Sequence, residues 1–340
     1  MPRFVRFLLF SAMLFGTLTI ADSGNDLEKA ISQRNSKKLR KLLKILSPDT
    51  LISSPEGYPG LSVPPLVYAV DIGDLTVVKT LLEAGASVDI RGTSEQLTPL
   101  IMAACDGKNE ILQVLVDAKA NLDLKTVPNE WARSYTSVSA LACAANRNHR
   151  ETYDLLVAAG AKEEFPLHSA VLLNDADSAR RVIEQGTNVD LVDGYLYSPL
   201  MHAVKQGNAE LVRILLDAKA SPDIPRQVTY ESVDGRPRTT YSSGHIIGTD
   251  PIFMATKAKN VEIVRMLLEA KADPNVSDLS KHTPLWLAVE AQYVEIVRLL
   301  LAVRASVNVR NRQGESLIDM AKRTKSDPQI LQMLSDSKPQ

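Results

Sequence analysis

Apolar residues return along this chain in two helical rhythms that alternate. One is a short run opening on Thr, Pro and Leu, as in Thr283-Pro284-Leu285-Trp286-Leu287-Ala288-Val289. The other is a stripe at i, i+1, i+4 and i+5, as in Ile296-Val297 with Leu300-Leu301. Both return 33 residues earlier as Asp250-Pro251-Ile252-Phe253-Met254-Ala255 and Ile263-Val264 with Leu267-Leu268. The spacing predicts pairs of short amphipathic helices, each burying one face against the next pair. Such a pair cannot close a core alone, so the product is an extended surface rather than a cleft.

The openings fall at Asn25, Pro64, Thr98, Ser139, Phe165, Ser198, Asp250, Thr283 and Ser316, at steps of 39, 34, 41, 26, 33, 52, 33 and 33 residues. Proline holds the second slot six times, and alanine holds the sixth slot in all nine. Proline suits the first helical position, where its missing N–H is not needed. A preceding Thr or Ser caps the orphan amides. Alanine lets helices approach closely. Gly85, Gly160 and Gly186 fit a left-handed residue after the second helix.

Period and wording together resemble the ankyrin repeat. The resemblance implies an all-α repeat solenoid of about nine copies over 22–335, with degenerate terminal copies. It also implies a partner-facing surface built from loop tips and the exposed side of each first helix. On that pattern Asp71-Ile72, Asn146-Arg147, Leu172-Leu173, Lys205-Gln206 and Glu290-Ala291 are expected to be exposed. Lys119, Lys219, Lys271 and Arg304 stand where the family has Gly, at a cost on the order of 1 kcal/mol each.

The long steps mark insertions at about 47–63, 125–138 and 225–249. In the largest, Gln227 to Val233 and Arg236 to Tyr241 flank Asp234-Gly235, a β-hairpin signal that predicts a projecting finger. The first insertion carries no such signal. The 26-residue step predicts a pinched loop between the second and third insertions. Candidate partner-binding residues are Trp131 and Tyr135, Leu172 and Leu173, Tyr195 and Tyr197, and Tyr230, Arg236, Arg238 and Tyr241. Aromatic, Leu and Arg side chains of this kind compose interface hot spots. Leu172 and Leu173 have a second reading, local packing against the shortened loop.

Residues 1–21 read as a secretory leader: Arg3 and Arg6, an apolar stretch Phe7 to Ile20, and small residues Thr19 and Ala21 before a cleavage point. Removing it takes the formal charge from −1 to −3. That balance lacks the concentrated Lys and Arg that nucleic-acid binding needs. Export to a periplasm is expected ahead of release, with no membrane span remaining. The two cysteines, Cys105 and Cys143, lie at different slots of adjacent copies. Their offset favours two separate small packing residues over a bridge.

No catalytic motif is present, and the five histidines are too scattered for a metal set, so neither metal nor cofactor is expected. His168, His149 and His202 read as packing residues, while His245 and His282 could face solvent. Trp286 fills the slot of the family's structural His and is expected to be half-buried. The functional expectation is a non-catalytic exported protein, monomeric or in a 1:1 complex. The first reading is an inhibitor or immunity protein masking an envelope enzyme such as a cell-wall hydrolase. The alternatives are a secreted host-directed effector or interaction scaffold, and, ranked last, a glycan binder.

Overall fold

The structure is a computed structural model that describes residues 20–53, 62–92, 96–127, 138–193, 197–223, 230–231, 237–238 and 250–337. The predicted leader therefore lies almost wholly outside the described residues. No described helix is long and apolar enough to cross a membrane.

The described residues fall into two compact units, one ending at Glu164 and the other beginning at Phe165, divided at the short 26-residue step. In unit 1 the helix pairs are α1 (Ile20–Ser32) with α2 (Ser36–Leu42), α3 (Pro65–Asp71) with α4 (Leu75–Glu83), α5 (Pro99–Cys105) with α6 (Asn109–Asp117), and α7 (Ala140–Asn146) with α8 (Arg150–Ala158). Unit 2 continues with α9 (Pro166–Leu172) and α10 (Ala176–Glu184), α11 (Pro199–Gln206) and α12 (Ala209–Asp217), α13 (Pro251–Lys257) and α14 (Val261–Glu269), α15 (Pro284–Glu290) and α16 (Val294–Ala302), and α17 (Leu317–Arg323) and α18 (Pro328–Asp336). Within each unit first helices pack on first helices and second on second, giving one apolar core per unit.

Local chemistry accounts for each pair. Thr98, Ser139, Ser198, Thr283 and Ser316 each accept the amide three residues on, starting α5, α7, α11, α15 and α17. The sixth-slot alanines are all buried, eight of them at 0 % exposure and Ala170 at 5 %. Each of their carbonyls also accepts the N–H five residues later, from Asn35 on Ala30 to Ser326 on Ala321, at 2.8–3.1 Å. This helix-ending bond requires a left-handed residue just before its donor. Gly73, Gly107 and Gly207 supply it, as do Asn148, Asn174, Lys259 and Gln292. The same closure ends the second helices, as in Ala120 on Leu115 and Ala220 on Leu215.

Successive pairs are registered by a second bond that sequence reading missed. Just beyond six of the second helices, a side-chain oxygen accepts a backbone amide in the corresponding loop of the next pair. Asp49 takes Ser87 at 3.0 Å, Asp89 takes Asn121 at 3.0 Å and Asp123 takes Lys162 at 2.9 Å in unit 1. Asp190 takes Ser221 at 2.8 Å, Asp223 takes Asp273 at 3.0 Å and Asn275 takes Ser306 at 2.8 Å in unit 2.

Two expectations need correction. Cys105 and Cys143 are joined in a disulfide with a Cα–Cα separation of 5.0 Å. Cys105 is the last residue of α5 and Cys143 sits mid-helix in the adjacent α7, so packing of the two helices brings offset slots side by side. The insertion at 47–63 returns on itself as β1 (Ile52–Ser53) antiparallel to β2 (Ser62–Val63), anchored by Ile52 and Val63, both fully buried. In the largest insertion β3 (Tyr230–Glu231) pairs antiparallel with β4 (Pro237–Arg238), placing Tyr230 opposite Arg238.

Lys119, Lys219, Lys271 and Arg304 have φ of 66°, 69°, 68° and 63°. Glycine carries no Cβ penalty there, so Lys219→Gly and Lys271→Gly should each stabilise by up to about 1 kcal/mol. Urea unfolding is expected to move to a higher midpoint at unchanged slope; a lower midpoint would contradict the assignment.

Candidate binding site

Of the predicted contact residues, Trp131, Tyr135, Tyr195, Arg236 and Tyr241 lie outside the described residues, as does His245. Tyr230 and Arg238 are placed by their backbone pairing alone. Asp71, Asn146, Arg147, Lys205, Gln206, Glu290 and Ala291 are exposed at the ends of first helices, while Ile72 is half-buried. The exposure expected of Leu172 and Leu173 is corrected: Leu173 is buried and Leu172 half-buried. Leu173 caps α9, its amide bonded to the Ser169 carbonyl at 2.9 Å, while Gln206 Nε2 donates to the Leu172 carbonyl at 2.9 Å.

Tyr197 is the predicted residue whose surroundings are fullest, and they are a network rather than an open patch. Its amide donates to Asp193 Oδ1 at 3.0 Å, and its carbonyl accepts the Asp193 amide at 2.9 Å. That carbonyl also accepts from His168 Nε2 at 3.0 Å, which places the ring proton on Nε2. His202 Nε2 donates to Asp193 Oδ2 at 2.7 Å. The Tyr197 ring lies 5.1 Å from the His202 ring, and Lys205 Nζ stands 5.2 Å from the Tyr197 ring centroid. Phe165 meets His168 edge-on at 5.4 Å.

Burial pushes His168 down to about 4, against the opposing pull of Asp193. Burial alone would raise Asp193, but the His202 hydrogen bond and charge hold its carboxyl below the usual value. Burial, then the Asp193 charge, raises the Tyr197 hydroxyl. These groups lock the described part of the loop before α11. The turn recurs where Asp278 Oδ1 accepts the Ser280 and His282 amides, each at 2.8 Å, and where Asn311 Oδ1 accepts Glu315 at 3.0 Å. The missed signal was an Asp or Asn five residues before the opening Ser or Thr.

His282, expected to face solvent, is half-buried and stacked on Trp286 at 5.1 Å. Trp286 is 1 % exposed rather than half-buried. It occupies the slot from which His168 reaches a carbonyl, yet its indole N–H is buried without a hydrogen-bond partner among the described residues. His149 bonds the Cys105 carbonyl at 3.0 Å, a packing role within unit 1. Among the described residues no group of three or more His, Cys, Asp or Glu is placed to hold a metal.

In unit 2 the second helices and the loops between pairs present different surfaces. On the second helices Arg180–Glu210, Arg213–Glu262 and Arg265–Glu295 pair across neighbours at 2.8, 3.2 and 3.5 Å. Exposed pairs of this kind are worth at most about 1 kcal/mol each, but they leave a charge-matched face. Loops joining successive pairs instead expose apolar residues: Leu191 and Leu279 here, and Leu51 and Val127 in unit 1.

Stacked helix pairs joined by loops of variable length define a repeat protein. The chain belongs to the ankyrin-repeat family, whose profile, described as ankyrin repeats in three copies, matches residues 27–126, 66–163, 140–226 and 236–327. It is similar to ankyrin repeat protein FPV022 of Fowlpox virus, 29 % identical over 239 residues, covering 67 % of this chain and 34 % of that protein. The phosphocholine transferase AnkX of Legionella pneumophila is 28 % identical over 128 residues, 37 % of this chain and 14 % of that protein. Human ankyrin repeat and SOCS box protein 16 is 28 % identical over 170 residues, 46 % of this chain and 38 % of that protein. The chain thus spans between about a seventh and two fifths of the length of these relatives.

The buried neutral His168 makes acid stability predictable. Its folded value lies below the ordinary 6.5, so its contribution is complete above about pH 6.5 and is lost as pH falls toward 4. The loss should reach about 3 kcal/mol, because each tenfold change in proton affinity is worth roughly 1.4 kcal/mol. Urea unfolding between pH 7 and 4.5 should show this slope, and His168→Gln, though less stable, should flatten it. An equally steep slope in the variant would place the titration elsewhere.

Proposed function

We propose that this protein is an exported, non-catalytic binding protein of nine repeat units, in which the loop edge and an inserted β-finger hold a folded protein partner. The observation that carries this reading is the contrast between the second helices of unit 2 and the loops between pairs. Its second helices are charge-matched from pair to pair, whereas Leu191 and Leu279 are exposed in loops between pairs, and in unit 1 the exposed Leu51 and Val127 lie in connections that carry insertions. Loops free of packing duty are where binding residues accumulate in repeat proteins.

The partner we infer is an envelope enzyme such as a cell-wall hydrolase, masked in a 1:1 complex so that this chain acts as an inhibitor or immunity protein. The leader-like N-terminus supports export, and the Cys105–Cys143 bond is of a kind that persists in an oxidising compartment. Trp131, Tyr135, Tyr195 and Tyr197, with Tyr230, Arg236, Arg238 and Tyr241, are the proposed contact residues. The packed leucines Leu172 and Leu173 leave that set.

The test is capture. Immobilised mature chain from Asp22, beside a variant lacking residues 226–248, is exposed to the envelope fraction of the source cell, and bound proteins are identified by mass spectrometry. The expected result is an enzyme held by the intact chain, inhibited in stoichiometric titration, and lost with the deletion. Equal capture by the variant would remove the finger from the mechanism. Capture of nothing from the envelope would overturn the inhibitor reading and place the target outside the cell.

A further inference from the structure

The helix pair α7–α8 is supported mainly by small side chains. It buries Ala140, Leu141, Ala144 and Ala145 from one helix and only Thr152 and Leu156 from the other. The α3–α4 pair, by contrast, buries Leu66, Val67, Tyr68, Val70, Val77, Val78 and Leu81. Small side chains remove little area from water, so stacking alone holds α7–α8 weakly. It is this pair that the disulfide ties to α5, through Cys143 and Cys105, across a sequence separation of 38. The tie also fixes the base of the second insertion. There the Thr126 amide donates to the Val138 carbonyl at 3.0 Å, and the Val138 amide donates to Thr126 Oγ1 at 2.9 Å, one residue before the cap of α7.

We propose that the Cys105–Cys143 bond is a redox latch on α7–α8: the pair stays docked when the bond is formed and frays when it is reduced. Both cysteines are partly exposed, so oxidant and reductant can reach them. Closing the latch needs a disulfide-bearing oxidant. One cysteine thiolate attacks a sulfur of that oxidant, giving a mixed disulfide and releasing one oxidant thiol. The second thiolate then displaces the other, so two protons and two electrons leave this chain and the oxidant departs as a dithiol. Its biological sense rests on the export reading: unit 1 would complete its binding edge only after leaving the reducing cytosol.

The test needs no partner, so it stands or falls independently of the inhibitor reading. Hydrogen exchange is followed by mass spectrometry on the full mature chain, oxidised and then reduced with a phosphine, beside the Cys105→Ser/Cys143→Ser double variant. Opening the cross-link of a loop this long raises the local opening constant by roughly 10²–10³-fold on the chain-entropy account. Exchange across 140–158 should accelerate by that order, with α13–α18 unchanged, and the double variant should match the reduced protein and ignore reductant. Acceleration under threefold, or equal acceleration throughout unit 2, would overturn the proposal. Because the reduced sample is made from folded wild-type protein, that comparison decides the matter even where the double variant fails to fold.

Discussion

The bond on which each stack depends runs from a side-chain oxygen beyond one second helix to a backbone amide at the same place in the next pair. Apolar burial drives the pairs together but is indifferent to sliding, because neighbouring stripes of Ile, Val and Leu are nearly equivalent. A hydrogen bond of 2.8–3.0 Å is not indifferent. It allows one register per neighbour and satisfies a turn amide that helix geometry leaves over. With the register set, the buried alanines meet their neighbours and the charged pairs on the second helices of unit 2 fall opposite each other.

This division of labour explains where function can reside. Helix faces are committed to stacking, and the second-helix face of unit 2 is committed to Arg–Glu pairing. The connections carry the registering oxygen and bonds local to each loop, so they accept insertions of very different length without disturbing the stack. Ile52 and Val63 pin one insertion, and the Thr126–Val138 bonds close another. The loop before α11 shows the limit of that freedom. Two histidines and Asp193 fix Tyr197 there, so its contribution to binding would be pre-organised rather than adaptable.

Repeat units, helix openings and left-handed turns were legible in the sequence because each is a local matter. Proline at the second slot, alanine at the sixth and a Ser or Thr cap act within a few residues of themselves. Misreadings arose where the outcome depends on a neighbouring repeat. The Cys105–Cys143 bond joins slots that look mismatched until α5 and α7 pack. Leu173 and Trp286 occupy slots that tolerate exposure, and packing buries both. The registering Asp and Asn residues were in view but silent, since nothing within one repeat says that their partner lies 31 to 50 residues on. The proposed contact residues were legible only as composition, since an aromatic in an inserted loop does not name what it meets.

The claim that this oxygen-to-amide contact holds neighbouring repeats in place is tested most directly at Asp190, whose Oδ1 lies 2.8 Å from the Ser221 amide. Asp190→Ala removes the acceptor, leaves the half-buried amide unmatched and touches no core side chain. Equilibrium urea unfolding should lose about 1–2 kcal/mol, the usual penalty for orphaning a partly buried donor. A variant within about 0.3 kcal/mol of the parent, well under the value of a typical hydrogen bond, would show that burial alone sets the register.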